Sequence, residues 1–138
     1  MRRVVQVVDS SVIIRAITTV DVSEREQLQD LIADSPIAIA HVLAESYATL
    51  TRMPQPFRLS PFDCHAFLTS AFHAQPISLS SHGYLRILEF LAERGLAGGA
   101  IYDCLIAETA RENDAVLVSL DHRAAVRYSM LGAEHRLL

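Results

Sequence analysis

Four acidic residues lie where the local sequence gives little reason for a charge. Asp9 follows the apolar run VVQVV and Asp121 follows AVLVSL, whereas Glu45 lies within HVLAESYATL and Asp103 within GGAIYDCLIAETA. Two of them end strand-like runs, and ligands bind at that edge of an open parallel sheet. Converging carboxylates repel each other, and a hard divalent cation such as Mg²⁺ or Mn²⁺ removes that repulsion while leaving positions for water and phosphate. The pattern therefore suggests metal-assisted phosphoester chemistry.

Each acid also has a purely structural explanation. Asp9 and Asp121 precede predicted helices, so each fits a helix N-cap. Asp103 falls in a first helical turn, where the helix dipole stabilises a carboxylate by about 0.3–1 kcal/mol. Glu45 is harder to explain in this way, because its helix is mostly apolar and offers little solvated surface. The four acids together favour a shared site.

The composition limits the class of protein. A chain of 138 residues that is 51% hydrophobic fits a single domain over residues 1–138. Without an apolar run of roughly 20 residues or a signal peptide, we expect no membrane association and a cytoplasmic protein. Cys64 and Cys104 lack metal or disulfide spacing and fit small buried side chains.

The net charge of −4 counts against an autonomous nucleic-acid binder. That objection weakens if a metal neutralises four acids, because acidic and basic residues would then be equal in number. Every basic residue is arginine, since the chain contains no lysine.

Periodicity and chain-breaking residues predict alternating strands and helices. This order predicts a three-layer α/β domain with a central parallel sheet flanked by helices. A capping box at Ser23 and Glu26 opens the second helix. The predicted strands are 3–8, 37–40, 77–79 and 115–120, and the predicted helices are 10–18, 23–33, 41–52, 60–73, 81–94, 100–113 and 123–131.

Four features resemble the motifs of PIN-domain nucleases in their order along the chain. They are VVDSSVIIRA, the mid-helix Glu45, GGAIYDCLIAETARE and VLVSLD. The likeness is greatest to the toxins of VapBC-type toxin–antitoxin pairs, and it spans essentially the whole chain. It implies that the metal-site acids are Asp9, Glu45, Asp103 and Asp121.

The same resemblance places Ser10 and Ser119 at the family's hydroxyl positions beside the first and last acids. Two departures stand out. Ala124 occupies a position where the family often has an aromatic residue, and the segment after Gly132 is brief.

The resemblance implies hydrolysis of an RNA phosphodiester with Mg²⁺ or Mn²⁺. Asp9 and Asp103 would be the central ligands, and Glu45 would complete the shell or orient the attacking water. Asp121 would hold a second, weaker metal or act through water. Ser119 would hydrogen-bond a carboxylate rather than attack phosphorus.

Two arginines are candidates for binding substrate phosphate. Arg15 and Arg52 each lie one or two turns beyond a site acid on a predicted helix, although a solvated surface position is the commoner role for each. His41 lies four residues before Glu45 and could share its helical face. No second histidine has matching spacing, so an ordinary polar residue at a strand-to-helix junction is the preferred interpretation.

By resemblance, the expected partners are an RNA substrate, a second copy of the chain and an antitoxin protein lying across the acidic groove. The apolar helix at 23–33 offers a dimer face. Receiver domains and haloacid dehalogenase-like phosphatases need a lysine that this chain lacks, and no GxxxxGK motif of P-loop enzymes is present. The remaining alternative is a non-catalytic module of the PIN fold that binds RNA or protein.

Overall fold

The computed structural model describes residues 4–138, and within them six helices separate the first strand from the second. Residue 3, the first of the predicted 3–8 strand, lies outside that range. No helix in the described range is both long and apolar enough to cross a bilayer. The elements are β1 (Val5–Val8), α1 (Ser10–Thr18), α2 (Val22–Ala33), α3 (Ala40–Leu50), α4 (Pro61–Ala71), α5 (Ser81–Arg94), α6 (Ala100–Glu112), β2 (Ala115–Ser119), α7 (His122–Met130) and β3 (His135–Leu137).

The sheet has three parallel strands in the order β1–β2–β3. Its central strand β2 pairs Val118 with Val8 of β1, and Ser119 with Leu137 of β3. The brief C-terminal segment therefore still supplies a strand. Because all three strands run in the same direction, their carboxyl ends meet at one edge, and α1 and α7 both leave from it. The predicted α/β class is confirmed.

The predicted strands at 37–40 and 77–79 are wrong. These segments meet through a single parallel bridge between Ile39 and Ile77, outside the three-stranded sheet. A proline without an N–H donor precedes each segment. Helix α3 also begins at the last residue of the first segment, so little extended chain remains to pair.

The predicted capping box at Ser23 and Glu26 is also wrong. Helix α2 begins one residue earlier, at Val22, and its N-cap is Asp21, which accepts a hydrogen bond from the N–H of Glu24. Aspartate and serine are comparable N-caps, so the earlier aspartate can start the helix before the serine is reached.

Two apolar clusters stabilise the fold. The larger one surrounds the sheet and includes Val7, Leu117 and Tyr128. The smaller one lies between α5 and α6 and includes Leu91 and Cys104. Both cysteines are free and buried, as predicted, and burial raises the pKa of each thiol.

A polar network fixes the start of α5 against the end of α6. The carboxylate of Glu112 accepts hydrogen bonds from the Ser80 N–H at 2.9 Å and from its hydroxyl at 2.8 Å. It also accepts one from Arg86 at 3.1 Å. Gly83 lies against this network, where an added Cβ would come within 2.6 Å of Leu79 Cγ. The network holds α6, whose opposite end carries Asp103.

We predict that Gly83→Ala lowers the free energy of unfolding by about 1–3 kcal/mol, because the new methyl overpacks this contact. The loss should appear although alanine normally favours a helix over glycine by about 0.5–1 kcal/mol. Urea unfolding measures it. Gly99→Ala is the control, since a Cβ added at Gly99 would have nothing within 4 Å, and it should stay within about 0.5 kcal/mol of the parent. Equal stability of the two variants would contradict the close approach.

Candidate active site

Asp9 is buried at the edge where β1 ends, with only 3% of its surface exposed. It is the N-cap of α1, and its Oδ1 accepts hydrogen bonds from the N–H of Ser11 at 3.1 Å and from the Ser11 hydroxyl. Its Oδ2 accepts a hydrogen bond of 2.8 Å from the Tyr128 hydroxyl. Asp9 is thus a helix cap and, at the same time, a buried carboxylate supplied with donors.

Ser11 and Ser119 lie beside Asp9 at this edge of the sheet. The Ser11 hydroxyl oxygen accepts the Leu120 N–H at 2.9 Å and lies 3.5 Å from the Ser119 hydroxyl. Ser119 is fully buried, and its oxygen accepts the Asp121 N–H at 2.9 Å. We expected Ser119 to bind a carboxylate, but that contact is made by Ser11, because the Ser119 hydroxyl turns toward the backbone that follows β2.

Asp121 is the N-cap of α7. Its Oδ1 accepts hydrogen bonds from the N–H groups of Arg123 at 2.9 Å and Ala124 at 3.2 Å. The residue is exposed, unlike Asp9. The capping explanation offered by the sequence therefore holds for both strand-end acids.

Glu45 lies in the middle of α3 between two polar neighbours. Its Oε2 accepts a hydrogen bond of 3.2 Å from the Ser10 hydroxyl at the start of α1. Its Oε1 lies 2.7 Å from Nε2 of His41, one helical turn earlier. His41 shares the helical face of Glu45, as the spacing allowed, and its ring stacks on Tyr102. Its interpretation as an ordinary polar residue rather than a metal ligand stays a prediction.

Asp103 lies in the first turn of α6, where partial burial and neighbouring charges raise its pKa. Burial is the largest cause, followed by the negative charges of Asp121 and Glu45 and, more weakly, Asp9. The positive charge of Arg127 acts in the opposite direction. All four acids therefore share one electrostatic neighbourhood.

The donor set suits a hard cation, but the side chains do not yet surround one point. The four acids offer carboxylate oxygens, which Mg²⁺ and Mn²⁺ prefer. Within residues 4–138, however, no three side chains of histidine, cysteine, aspartate or glutamate are grouped as a metal site requires. Several carboxylate oxygens instead face protein donors, as described for Asp9, Asp121 and Glu45.

The two candidate arginines have different surroundings. Arg15 forms an ion pair with Glu24, with Nε 2.6 Å from Oε1, and this hydrogen bond lowers the pKa of Glu24. Arg52 lines the same groove as Glu45 and Asp103. The structure therefore brings Arg52 together with the acids and engages Arg15 elsewhere.

Sequence reasoning missed Tyr128 and Ser11. The contact between Tyr128 and Asp9 joins residues 119 positions apart. A local signal existed, because Ala124 and Tyr128 are one helical turn apart on the buried face of α7. Ser11 was visible as a serine two residues after an N-cap, but its direction could not be read from spacing.

The fold and the four acids define a class of protein, and the similarity of this chain to known proteins identifies that class. The family model described as PIN domain matches residues 7–128, and the chain belongs to this family. Ribonuclease VapC40 of Mycobacterium tuberculosis is 37% identical over 100 residues, covering 72% of this chain and 75% of that protein.

Ribonuclease VapC27 of the same organism is 42% identical over 92 residues, covering 67% of this chain and 66% of that protein. Among solved structures, the crystal structure of PAE2754 from Pyrobaculum aerophilum matches with a TM-score of 0.60 and 18% identity. The match covers 96% of this chain and 90% of the PAE2754 chain, and it shows that the two share a fold.

We predict that Asp103→Asn stabilises the metal-free protein at neutral pH. Because the pKa of Asp103 is raised in the folded state, the folded protein holds this proton more tightly than the unfolded chain. The contribution of Asp103 to the free energy of unfolding of the parent should therefore fall as the pH rises. The fall begins near about 3.9, the ordinary pKa of an aspartate, and ends above the raised pKa of the folded state. The asparagine variant lacks that loss.

Urea unfolding in a chelator at several pH values measures this difference, which should shrink as the pH is lowered. Asp63→Asn, which removes the first-turn acid of α4, controls for the helix dipole. A parent more stable than Asp103→Asn at pH 7 would contradict the repulsion.

We also predict that Tyr128→Phe destabilises the protein by about 1.5–3 kcal/mol, the usual contribution of a hydrogen bond to a charged group. The change removes only the hydroxyl that donates to Asp9. Thermal or urea unfolding measures the loss, with Tyr84→Phe at an exposed tyrosine as control. A loss below about 0.5 kcal/mol would show that Asp9 does not depend on this donor.

Proposed function

We propose that this protein is a metal-dependent endoribonuclease that hydrolyses RNA phosphodiester bonds as the toxin of a toxin–antitoxin pair. The observation that carries the proposal is the placement of four acids in one neighbourhood: Asp9 and Asp121 cap helices at the sheet edge, Glu45 bonds Ser10 there, and Glu45 and Asp103 line one groove. The raised pKa of Asp103 agrees with this placement. A cluster of like charges is unfavourable unless a cation or a positive ligand group occupies it. The curated relatives named ribonucleases support RNA as the substrate.

The proposed cofactor is Mg²⁺ or Mn²⁺. Asp9 and Asp103 would hold the ion centrally, with Glu45 completing the site and Asp121 contributing from its exposed position. When bound, the ion would acidify water and offset the charge that develops on the phosphate.

The neighbouring residues have positioning roles in this proposal. Ser11 and Tyr128 hold the Asp9 carboxylate with both oxygens engaged, so its direction is fixed before substrate arrives. Glu45, which accepts a hydrogen bond from Ser10 and lies close to His41, would complete the metal shell or orient the attacking water. Ser119 supports the backbone of Asp121 rather than the reaction itself.

We propose Arg52 as the substrate-binding arginine of the groove. Arg52 lines the same groove as two of the acids, which suits it to hold an RNA phosphate near them. Arg15 remains a weaker candidate, because its ion pair with Glu24 would have to open first.

The proposed partners are an antitoxin protein that covers the acidic groove and a second copy of the chain. The expected dimer face on the 23–33 helix needs revision, because Leu28 and Ile32 are buried within the chain itself. The apolar surface that stays exposed at this end consists of Val20 and Val22. These two residues are the better candidates for a contact between copies.

We predict that Asp103→Asn lowers metal-dependent RNA cleavage by more than about 100-fold, since even groups that only support a metal ligand contribute about 10–100-fold. Asp121→Asn should lose less, because its exposed side chain contributes peripherally. Cleavage of a labelled single-stranded RNA by the purified protein, with and without Mn²⁺, measures the effect. Asp63→Asn serves as a matched first-turn control and should cleave like the parent.

Metal binding to the same proteins separates catalysis from the non-catalytic alternative. Mn²⁺ at about 100 times its Kd should stabilise the parent by roughly 2.7 kcal/mol, and Asp103→Asn should respond much less. A parent that binds RNA but neither cleaves it nor responds to Mn²⁺ or Mg²⁺ would favour a binding module. If Asp103→Asn cleaved as fast as the parent, the acids would be helix caps only.

A further inference from the structure

A groove of about 370 Å³ adjoins the acids, between α3 and the start of α6. Glu45 and Asp103 line its acidic part, Thr49 and Arg52 come from the end of α3 and its continuation, and Tyr102 comes from the first turn of α6. Its volume is at the low end of the roughly 300–1,000 Å³ found for small-ligand sites. The groove is therefore suited to one unit of a polymer that continues past it.

Tyr102 presents an aromatic ring in this groove with a fixed orientation. The residue is 52% exposed, although its ring stacks nearly parallel to His41, with centroids 5.4 Å apart and 11° between the planes. His41 is itself held near Glu45, with Nε2 2.7 Å from Oε1. A chain of contacts thus runs from a site acid to an exposed aromatic ring. Single exposed aromatic residues are common, but Tyr102 also has its ring orientation set by His41 and lies beside two of the acids.

Arg52 supplies a positive charge in the same groove. It is exposed, and it forms no ion pair with any residue in the described 4–138 range. Arg15, Arg86 and Arg111, in contrast, each pair with a glutamate. An arginine without a carboxylate partner and an exposed aromatic residue in one groove suit a ligand that is anionic and aromatic at once.

We propose that this groove is a nucleoside subsite, in which Tyr102 stacks on one base of single-stranded RNA and Arg52 binds an adjoining phosphate. Aromatic stacking combined with a backbone cation is the usual means of holding a single strand. A base within a duplex has no free face, so the subsite selects unpaired RNA. The inference rests on the proposed function and deepens it, because it states how the scissile phosphate reaches the acids.

Binding of a fluorescent single-stranded RNA in chelator tests the subsite without cleavage. Tyr102→Ala should raise Kd by about 5- to 150-fold, the range expected for one lost stacking contact, whereas Tyr102→Phe should bind like the parent. Tyr84→Ala is the matched control, since this exposed tyrosine lies on α5 near Glu112, at the end of α6 remote from Asp103. Tyr84→Ala should leave Kd unchanged.

The salt dependence separates the two contacts. Arg52→Ala should reduce the slope of log Kd against log salt by about 0.7, the value for one phosphate contact on a single strand. Tyr102→Ala should weaken binding with the slope unchanged. If both variants changed the slope equally, stacking would not be the role of Tyr102.

A set of RNAs with one abasic position each provides a test that leaves the protein unaltered. At one position, loss of the base should weaken binding to the parent as much as Tyr102→Ala does, and should have no further effect on that variant. Equal sensitivity of parent and variant at every position would overturn the subsite, as would equally tight binding of duplex RNA.

Cleavage by the same variants distinguishes this inference from the proposed function. With an active parent, Tyr102→Ala should raise KM by about the factor by which it raises Kd. A parent that binds RNA through Tyr102 but never cleaves would retain the subsite and refute the nuclease. Unchanged RNA binding by Tyr102→Ala and Arg52→Ala, together with a weakened antitoxin complex, would show a protein-binding groove and overturn the proposal.

Discussion

Repulsion among four carboxylates at one edge of a three-stranded sheet is the constraint on which the rest of this structure depends. The raised pKa of Asp103 records that repulsion, because burial and the charges of Asp121, Glu45 and Asp9 all favour its protonated form. The protein does not remove the charges. It distributes them between elements and gives several of them donors, so that the folded state tolerates an arrangement that a cation can complete. The positive charge of Arg127 provides partial compensation.

Capping and chemistry are compatible roles at this edge. Asp9 and Asp121 each begin a helix, and in both the Oδ1 atom accepts the backbone hydrogen bonds of the cap. The cap fixes the carboxylate relative to the strand that precedes it, which gives a site acid a defined position without further side-chain packing. In Asp9 the second oxygen is held by Tyr128. The role of helix cap therefore does not exclude the role of metal ligand, because one carboxylate can fill both.

The sequence predicted those parts of the structure that depend on local pattern. Strands β1 and β2 and the seven helices of the described residues followed from periodicity, and the placement of Asp9 and Asp121 at one edge followed from the geometry of parallel strand ends. The failures were long-range. Segments 37–40 and 77–79 had strand-like composition, but they form only one β-bridge. Helix α3 begins at Ala40, so it leaves too little extended chain in the first segment to form a strand. The donor to Asp9 depended on α7, where the small side chains Ala124 and Ala125 pack inward with Tyr128. The local pattern places Tyr128 on the buried face of α7, but it does not specify that the hydroxyl reaches Asp9.

The net charge of −4 raised an objection to RNA binding that the placement of individual arginines answers. Charges farther apart than the Debye length, roughly 8 Å at physiological salt, are largely screened. A ligand therefore responds to the nearest charges, and the total is a poor guide. Arg15, Arg86 and Arg111 are engaged by glutamates, so they add little to an external field. Arg52, in contrast, lies in the groove beside the acids. The local attraction for a phosphate depends on which arginines have no carboxylate partner. Glu45 and Asp103 line the same groove and repel a phosphate, so Arg52 attracts one there once a cation neutralises these acids.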